Sequence, residues 1–275
     1  MTLGDLRRAL ADRFEIEHEV GHGGMAVVYF ARDRADGHHV ALKVLRPELA
    51  VSMAAQRFHR EIAILRDLHH PNILPLLESE DRPPYIFYTM PYAAGGSLRG
   101  RLDAEGRTSL DAALSVARDV ASAIDHAHAH NVLHRDIKPE NILFDDIDRA
   151  LVCDFGVARA VERATNEEES SSSGMVVGTP LYMSPEQAAA EKDIDSRTDV
   201  YALGAVLYEM LVGAPPFTGV TAQAIVARIT KERPPPLAVA RPDVPLQVQR
   251  AVEAALAKRP RDRPASGRAL IELMG

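Results

Sequence analysis

The chain has 275 residues and a formal net charge of −7, a length that suffices for one large core or for two lobes with a cleft between them. The acidic balance argues against a general nucleic-acid binder, whose phosphate contacts come mainly from Lys and Arg, and leaves room for a local basic pocket around a nucleotide. The single cysteine, Cys153, excludes an internal disulfide and fits a reducing compartment.

In chain order, the segment Met1 to Arg8 lacks the apolar core of a signal peptide. Phe14, Ile16 and Val20 alternate with charged residues, the pattern of a half-exposed strand. Gly21-His22-Gly23-Gly24-Met25-Ala26-Val27-Val28 follows as a glycine-rich turn leading into a second strand, Val27 to Phe30. Such glycines let backbone amides approach phosphate oxygens. A plain hairpin would also carry them, and a dinucleotide-binding turn would need a helix where this strand stands.

Val40 to Leu45 reads as a third strand. With period 2, Ala41 and Lys43 share one face, opposite Val40, Leu42 and Val44. Ser52 is placed to cap a helix through about Asp67, with Phe58, Ile62 and Leu65 on one stripe. Glu61 lies on that helix, either as a surface residue or, turned inward, as a carboxylate in need of a cation; Lys43 is the natural partner. Ile73 to Leu77 and Tyr85 to Met90 read as further strands.

The character changes at Ala93-Ala94-Gly95-Gly96, before Ser97 as a helix cap. Helical periods dominate beyond it, at about 111–130, 197–212, 221–231, 245–257 and 266–274. Thr165 to Gly174 offers nothing apolar to bury and reads as disordered. The run Val200 to Val212, interrupted by Glu209, is too short for a membrane span of roughly 18 apolar residues.

The densest chemistry lies in His134-Arg135-Asp136-Ile137-Lys138-Pro139-Glu140-Asn141, followed by Asp154-Phe155-Gly156. The apolar segments Ile142 to Phe144 and Leu151 to Cys153 lie between them and read as strands. A carboxylate to orient a hydroxyl, with an Asn and an Asp to hold magnesium, is what phosphoryl transfer needs. His126, His128 and His130 recur every second residue in a helix. They are expected to point in three directions, which excludes a shared metal ion.

In order and spacing these motifs resemble the eukaryotic-like Ser/Thr protein kinases of bacteria, from about Phe14 to Met274. The resemblance implies an α+β, bilobal fold around an ATP cleft: a small β-rich lobe with one helix, 1–91, and a larger, mainly helical lobe, 92–275. It implies catalytic roles for Asp136, Lys138, Lys43 and Glu61, and magnesium (or manganese) on Asn141 and Asp154. ATP would lie against the glycine-rich turn, with Val28, Ala41 and Leu143 around the base. Met90 would close the back of the pocket, and Pro91-Tyr92-Ala93 would be the hinge. Ala26 stands where the family's third glycine is usual.

Gly178 to Glu186 resembles the end of the family's activation segment, with Ser184 where alanine is usual before Pro185. Glu186 with Arg263 is similar to the family's buried ion pair, Asp199 to the residue bonding the catalytic-loop backbone, and His134 to the residue packing under Phe155. Lys138 together with Thr179 implies Ser and Thr acceptors on protein substrates.

Arg135 implies control by a phosphorylated segment, with Ser171, Ser173 and Thr179 as sites, although a solvated Glu/Ser loop would look the same. The acidic charge argues against nucleic-acid contact and the short apolar runs against membrane contact by the chain itself. A cytoplasmic chain, or the cytoplasmic domain of a longer membrane-anchored protein, is the expectation, and the resemblance also allows a homodimer through the small lobe. The competing readings are a pseudokinase scaffold, a small-molecule kinase and a nicotinamide dehydrogenase.

Overall fold

The computed structural model describes residues 2–23, 26–46, 49, 59, 62–63, 66–155 and 180–275. These form two compact units: 2–69 with 74–94, and 70–73 with 95–155 and 180–275.

The first unit is built on a five-stranded antiparallel sheet. Its strands are β1 (Phe14–His22), β2 (Ala26–Asp33), β3 (His39–Leu45), β4 (Glu78–Arg82) and β5 (Tyr85–Pro91), in the order β1-β2-β3-β5-β4. Val40, Leu42 and Val44 enter a core with Phe14, Ile16, Tyr29 and Phe87. This is the face that alternation assigned to them.

A helix that the sequence reading did not anticipate, α1 (Leu3–Ala9), adds Leu6 and Leu10 to this core. Its signal was present in Thr2 and Asp5, which form a reciprocal capping box, and in the four-residue spacing of Leu6 and Leu10. The expectation of one helix in the strand-rich lobe is thereby corrected. His59, Ile62, Ala63 and Arg66 are helical. The rest of the helix expected from Ser52 to Asp67, with Glu61, Phe58 and Leu65, lies outside the described residues.

A second correction concerns Ile73 to Leu77, expected as a strand. The strand begins at Glu78, and Ile73 makes only a single parallel bridge to Val152. Ile73 and Leu74 are apolar because they are buried, whereas Pro75 has no N–H to extend a ladder.

The second unit is mainly helical. Its helices are α2 (Leu98–Glu105), α3 (Leu110–Ala129), α4 (Pro185–Ala188), α5 (Arg197–Val212), α6 (Ala222–Lys231), α7 (Leu237–Ala240), α8 (Leu246–Ala255) and α9 (Gly267–Glu272). Ser97, Ser109, Thr221 and Ser266 cap their helices by accepting a backbone N–H. Helix α5 is buried from Thr198 to Leu211, the polar Thr198, Asp199 and Glu209 included, and α3 and α8 pack against it. Helix α9 lies against α3, where a Cβ at Gly267 would come within 2.8 Å of the Ala121 backbone. The short hairpin of β6 (Ile142–Phe144) and β7 (Ala150–Val152) completes the unit.

Candidate active site

The catalytic-loop sequence occupies irregular backbone between α3 and β6, closing in a 3-10 turn, Pro139–Asn141. Arg135 and Asp154 take φ of 67° and 61°, a region that is sterically costly for residues with a Cβ. Side chains hold this backbone in place of a ladder. Asp199 of α5 is fully buried. Its Oδ2 accepts the His134 amide at 2.9 Å and His128 Nε2 at 2.8 Å, and its Oδ1 accepts the Arg135 amide at 2.7 Å. Burial alone would raise this carboxyl; the bond from His128, the proximity of His134 and the Arg135 amide outweigh it and hold the group below the usual aspartate range.

His134 is also fully buried. Its Nε2 donates to the Cys153 carbonyl at 2.8 Å, its Nδ1 accepts the Asp136 amide at 3.2 Å, and its ring lies 4.6 Å from that of Phe155. It thus ties the segment before Asp136 to the segment that carries Asp154. Asp136 Oδ2 accepts Lys138 Nζ at 2.7 Å and Asn141 Nδ2 at 3.1 Å, and the same Nδ2 donates to the Asp136 carbonyl at 2.8 Å. The Cys153 amide donates to the Asn141 carbonyl at 3.0 Å, so the backbone links Asn141 to the residue preceding Asp154.

The metal-binding chemistry fits these residues. With Nδ2 committed to Asp136, Asn141 Oδ1 is the acceptor on the opposite side of its amide. That oxygen and the Asp154 carboxylate are hard ligands of the kind magnesium takes beside substrate phosphates and water.

In the first unit, Gly21 and His22 end β1 opposite Val28 and Val27. The Gly23 amide bonds the Ala26 carbonyl at 2.8 Å, and Arg46 Nη2 donates to the Gly23 carbonyl at 3.1 Å. Across the sheet Val28 faces Lys43, which faces Tyr88, and Ala41 faces Met90. Val28, Ala41, Lys43 and Met90 therefore share one face, with Lys43 Nζ 5.6 Å from the Tyr88 ring centre. Pro91 ends β5, and Tyr92 packs on Phe30 at 4.5 Å just before Ala93.

Leu143 belongs to β6 of the second unit, where it pairs with Leu151. There the Gly95 amide bonds the Phe144 carbonyl so closely that a Cβ at Gly95 would lie 2.6 Å from that of Phe144. Gly24, Met25, Glu61, Gly156, Ser171, Ser173, Gly178 and Thr179 lie outside the described residues, as does the low-complexity run.

Glu186 and Arg263 form a buried two-bond ion pair at 2.7 Å. Burial pushes the Glu186 carboxyl up, but Arg263 holds it below the usual glutamate range.

The histidine expectation needs correction. His126 and His130, four residues apart, share a face with ring centres 4.5 Å apart, and His70 stacks on His126 at 5.0 Å; only His128 turns away, to Asp199. Among the described residues, no group of three or more His, Cys, Asp or Glu is placed to hold a metal.

Sequence reading also missed the use of Glu209. This residue interrupts the apolar run of α5 and is buried, accepting Arg99 Nη1 at 2.8 Å and the Tyr182 hydroxyl. Burial, reinforced by Glu209, pushes the Tyr182 phenol up. A carboxylate interrupting the apolar run Val200 to Val212 was the available signal.

This arrangement of sheet, helices and loop is that of a protein kinase. A protein kinase domain model matches residues 14–272, and the chain belongs to that family. It is 40% identical over 269 residues to the DNA damage-responsive serine/threonine-protein kinase RqkA of Deinococcus radiodurans, with 96% of this chain and 39% of the relative covered. It is 37% identical to the serine/threonine-protein kinase PknB of Mycolicibacterium smegmatis, covering 92% of this chain and 41% of PknB. To pkn3 of Myxococcus xanthus it is 35% identical, covering 95% and 49%. The chain thus spans less than half the length of these relatives. Among solved structures, Rad53 residues 1–466 in complex with AMP-PNP share the fold, with a TM-score of 0.79, 24% identity and coverage of 95% of this chain and 65% of that one.

Proposed function

We propose that this chain transfers the γ-phosphoryl group of ATP to Ser and Thr hydroxyls of proteins, its own activation segment included. The observation that carries the reading is the cluster in which Lys138 and Asn141 both bond Asp136 Oδ2. With that oxygen engaged, Oδ1 is oriented to accept the proton of an acceptor hydroxyl. Lys138, 2.7 Å from the carboxylate, supplies positive charge beside the transferred group. Lys43 supplies charge on the face it shares with Val28, Ala41 and Met90, against which the nucleotide would lie. Asn141 and Asp154 would hold magnesium, which would supply positive charge against the negative phosphates.

Regulation belongs to the same reading. Arg135 Nε is buried and has no hydrogen-bond partner among the described residues. A phosphoserine, with about −1.5 to −2 charge, would pair with that guanidinium, and Ser171 and Ser173 are the proposed donors of it.

Mass spectrometry after incubation with magnesium and ATP, beside Asp136→Asn, tests the reading. The unmutated chain should gain phosphate on Ser or Thr, and the variant should lose about 10²–10⁴-fold in rate. No phosphate on the chain or on a generic protein acceptor would refute it in favour of a nucleotide-binding scaffold. Ser171→Ala with Ser173→Ala leaving activity unchanged would remove the regulatory part alone.

A further inference from the structure

Arg135, directly before Asp136, holds a left-handed φ of 67°, so its surroundings must fix its peptide groups. Asp199 takes its amide. Its carbonyl is taken from another element: Gln187 of α4 donates Nε2 to it at 2.8 Å.

The Gln187 amide is itself locked. Its Oε1 accepts the Ser184 amide at 3.1 Å and Thr198 Oγ1 at 3.0 Å, with Ser184 Oγ 3.3 Å away. Ser184 Oγ and Thr198 Oγ1 lie 2.7 Å apart, and both residues are buried. With Oε1 held by these donors, the planar amide directs Nε2 at Arg135.

Ser184 stands where alanine is usual before Pro185, and with Gln187 it forms the capping box of α4. Glutamate serves that box as well as glutamine does, because the box uses only the oxygen. The cap therefore does not account for an amide at this position, whereas the bond to Arg135 requires one.

We infer that Gln187 is a positioning residue for Asp136. Through the Arg135 carbonyl it fixes the peptide that aims the carboxylate, and so couples the helix opening at Pro185 to the catalytic loop. The inference rests on the reading of Asp136 as the catalytic carboxylate.

Gln187→Glu separates the two uses of this side chain. It keeps the capping oxygen and sets a second, non-donating oxygen against the Arg135 carbonyl. Gln187→Met, which removes the donor without adding charge, serves if the first variant does not fold. Steady-state kinetics with ATP and a protein acceptor would be run beside titration of the folded fraction with a fluorescent ATP analogue.

Per folded molecule, kcat should fall by about tenfold or more, with KM for ATP within about twofold of the unmutated chain. A kcat within about twofold of the unmutated chain, or a loss that merely tracks the folded fraction, overturns the inference. Retained activity in Asp136→Asn overturns the underlying reading, and the inference with it. Inactive Asp136→Asn beside fully active Gln187→Glu overturns the inference alone.

Discussion

In β3, Lys43 is presented by a ladder whose alternate residues, Val40, Leu42 and Val44, lie in the apolar core of the first unit. In the second unit, Asp136 is presented by backbone without a ladder, held by Asp199 and His134, both fully buried and polar. The charges differ in the same sense. Arg13–Glu78 and Arg82–Asp12 in the first unit are part-exposed pairs, whose attraction solvent screens. Arg263–Glu186 in the second unit is almost wholly buried. The ladder rests on repeated backbone hydrogen bonds that no side-chain substitution removes, backed by many non-directional apolar contacts. The loop rests on a few directional bonds, each of which leaves a buried polar group unpaired when cut.

Asp199→Ala tests that difference most severely. It strips the acceptor from two backbone amides and from His128, and should cost about 3–5 kcal/mol in urea unfolding, with activity lost. A cost below about 1 kcal/mol would mean that water replaces the carboxylate and that the loop is not held as described.

Acid should find the same site. Asp199 and Glu186 are both held below their ordinary values of 3.8 and 4.5. Their contribution is therefore fully present above those unfolded-state values and is lost as pH falls through the lower folded ones. Urea midpoints measured down the pH scale should fall in that acid range, and Asp199→Ala should flatten the fall.

Leu42→Ala, in the first unit's core, should cost about 3 kcal/mol, while Lys43→Met on the opposite face should remove activity at little cost in stability. If Lys43→Met unfolded the chain instead, the strand would be no more tolerant than the loop. Thr2→Ala, which breaks the cap of α1, should cost about 1 kcal/mol, read as a small drop in thermal midpoint with kcat unchanged.

The two regions were unequally legible in the sequence. Strands β1, β2, β3 and β5 and helices α3, α5, α6 and α8 could be read from apolar periodicity, because side-chain period is a local property of each element. Asp136, Lys138 and Asn141, which the structure brings together, stand close enough in the sequence for their spacing to single them out. That Lys138 and Asn141 converge on one oxygen of Asp136 was not legible there. Ile73 and Leu74 misled because burial and strand formation leave the same apolar mark. His126 and His130 were misplaced because spacing was counted by twos where the helix sets neighbours at four.

By itself the sequence determined which segments alternate, that Ser97 caps a helix, and which family motifs the chain carries. Only the tertiary structure decided that Asp199 grips the loop, that Gln187 reaches the Arg135 carbonyl and that Glu209 takes Arg99 and Tyr182. These partners lie 27 to 110 residues apart. No local pattern encodes such a bond, because each forms only when burial leaves a polar group no alternative to the one partner within reach.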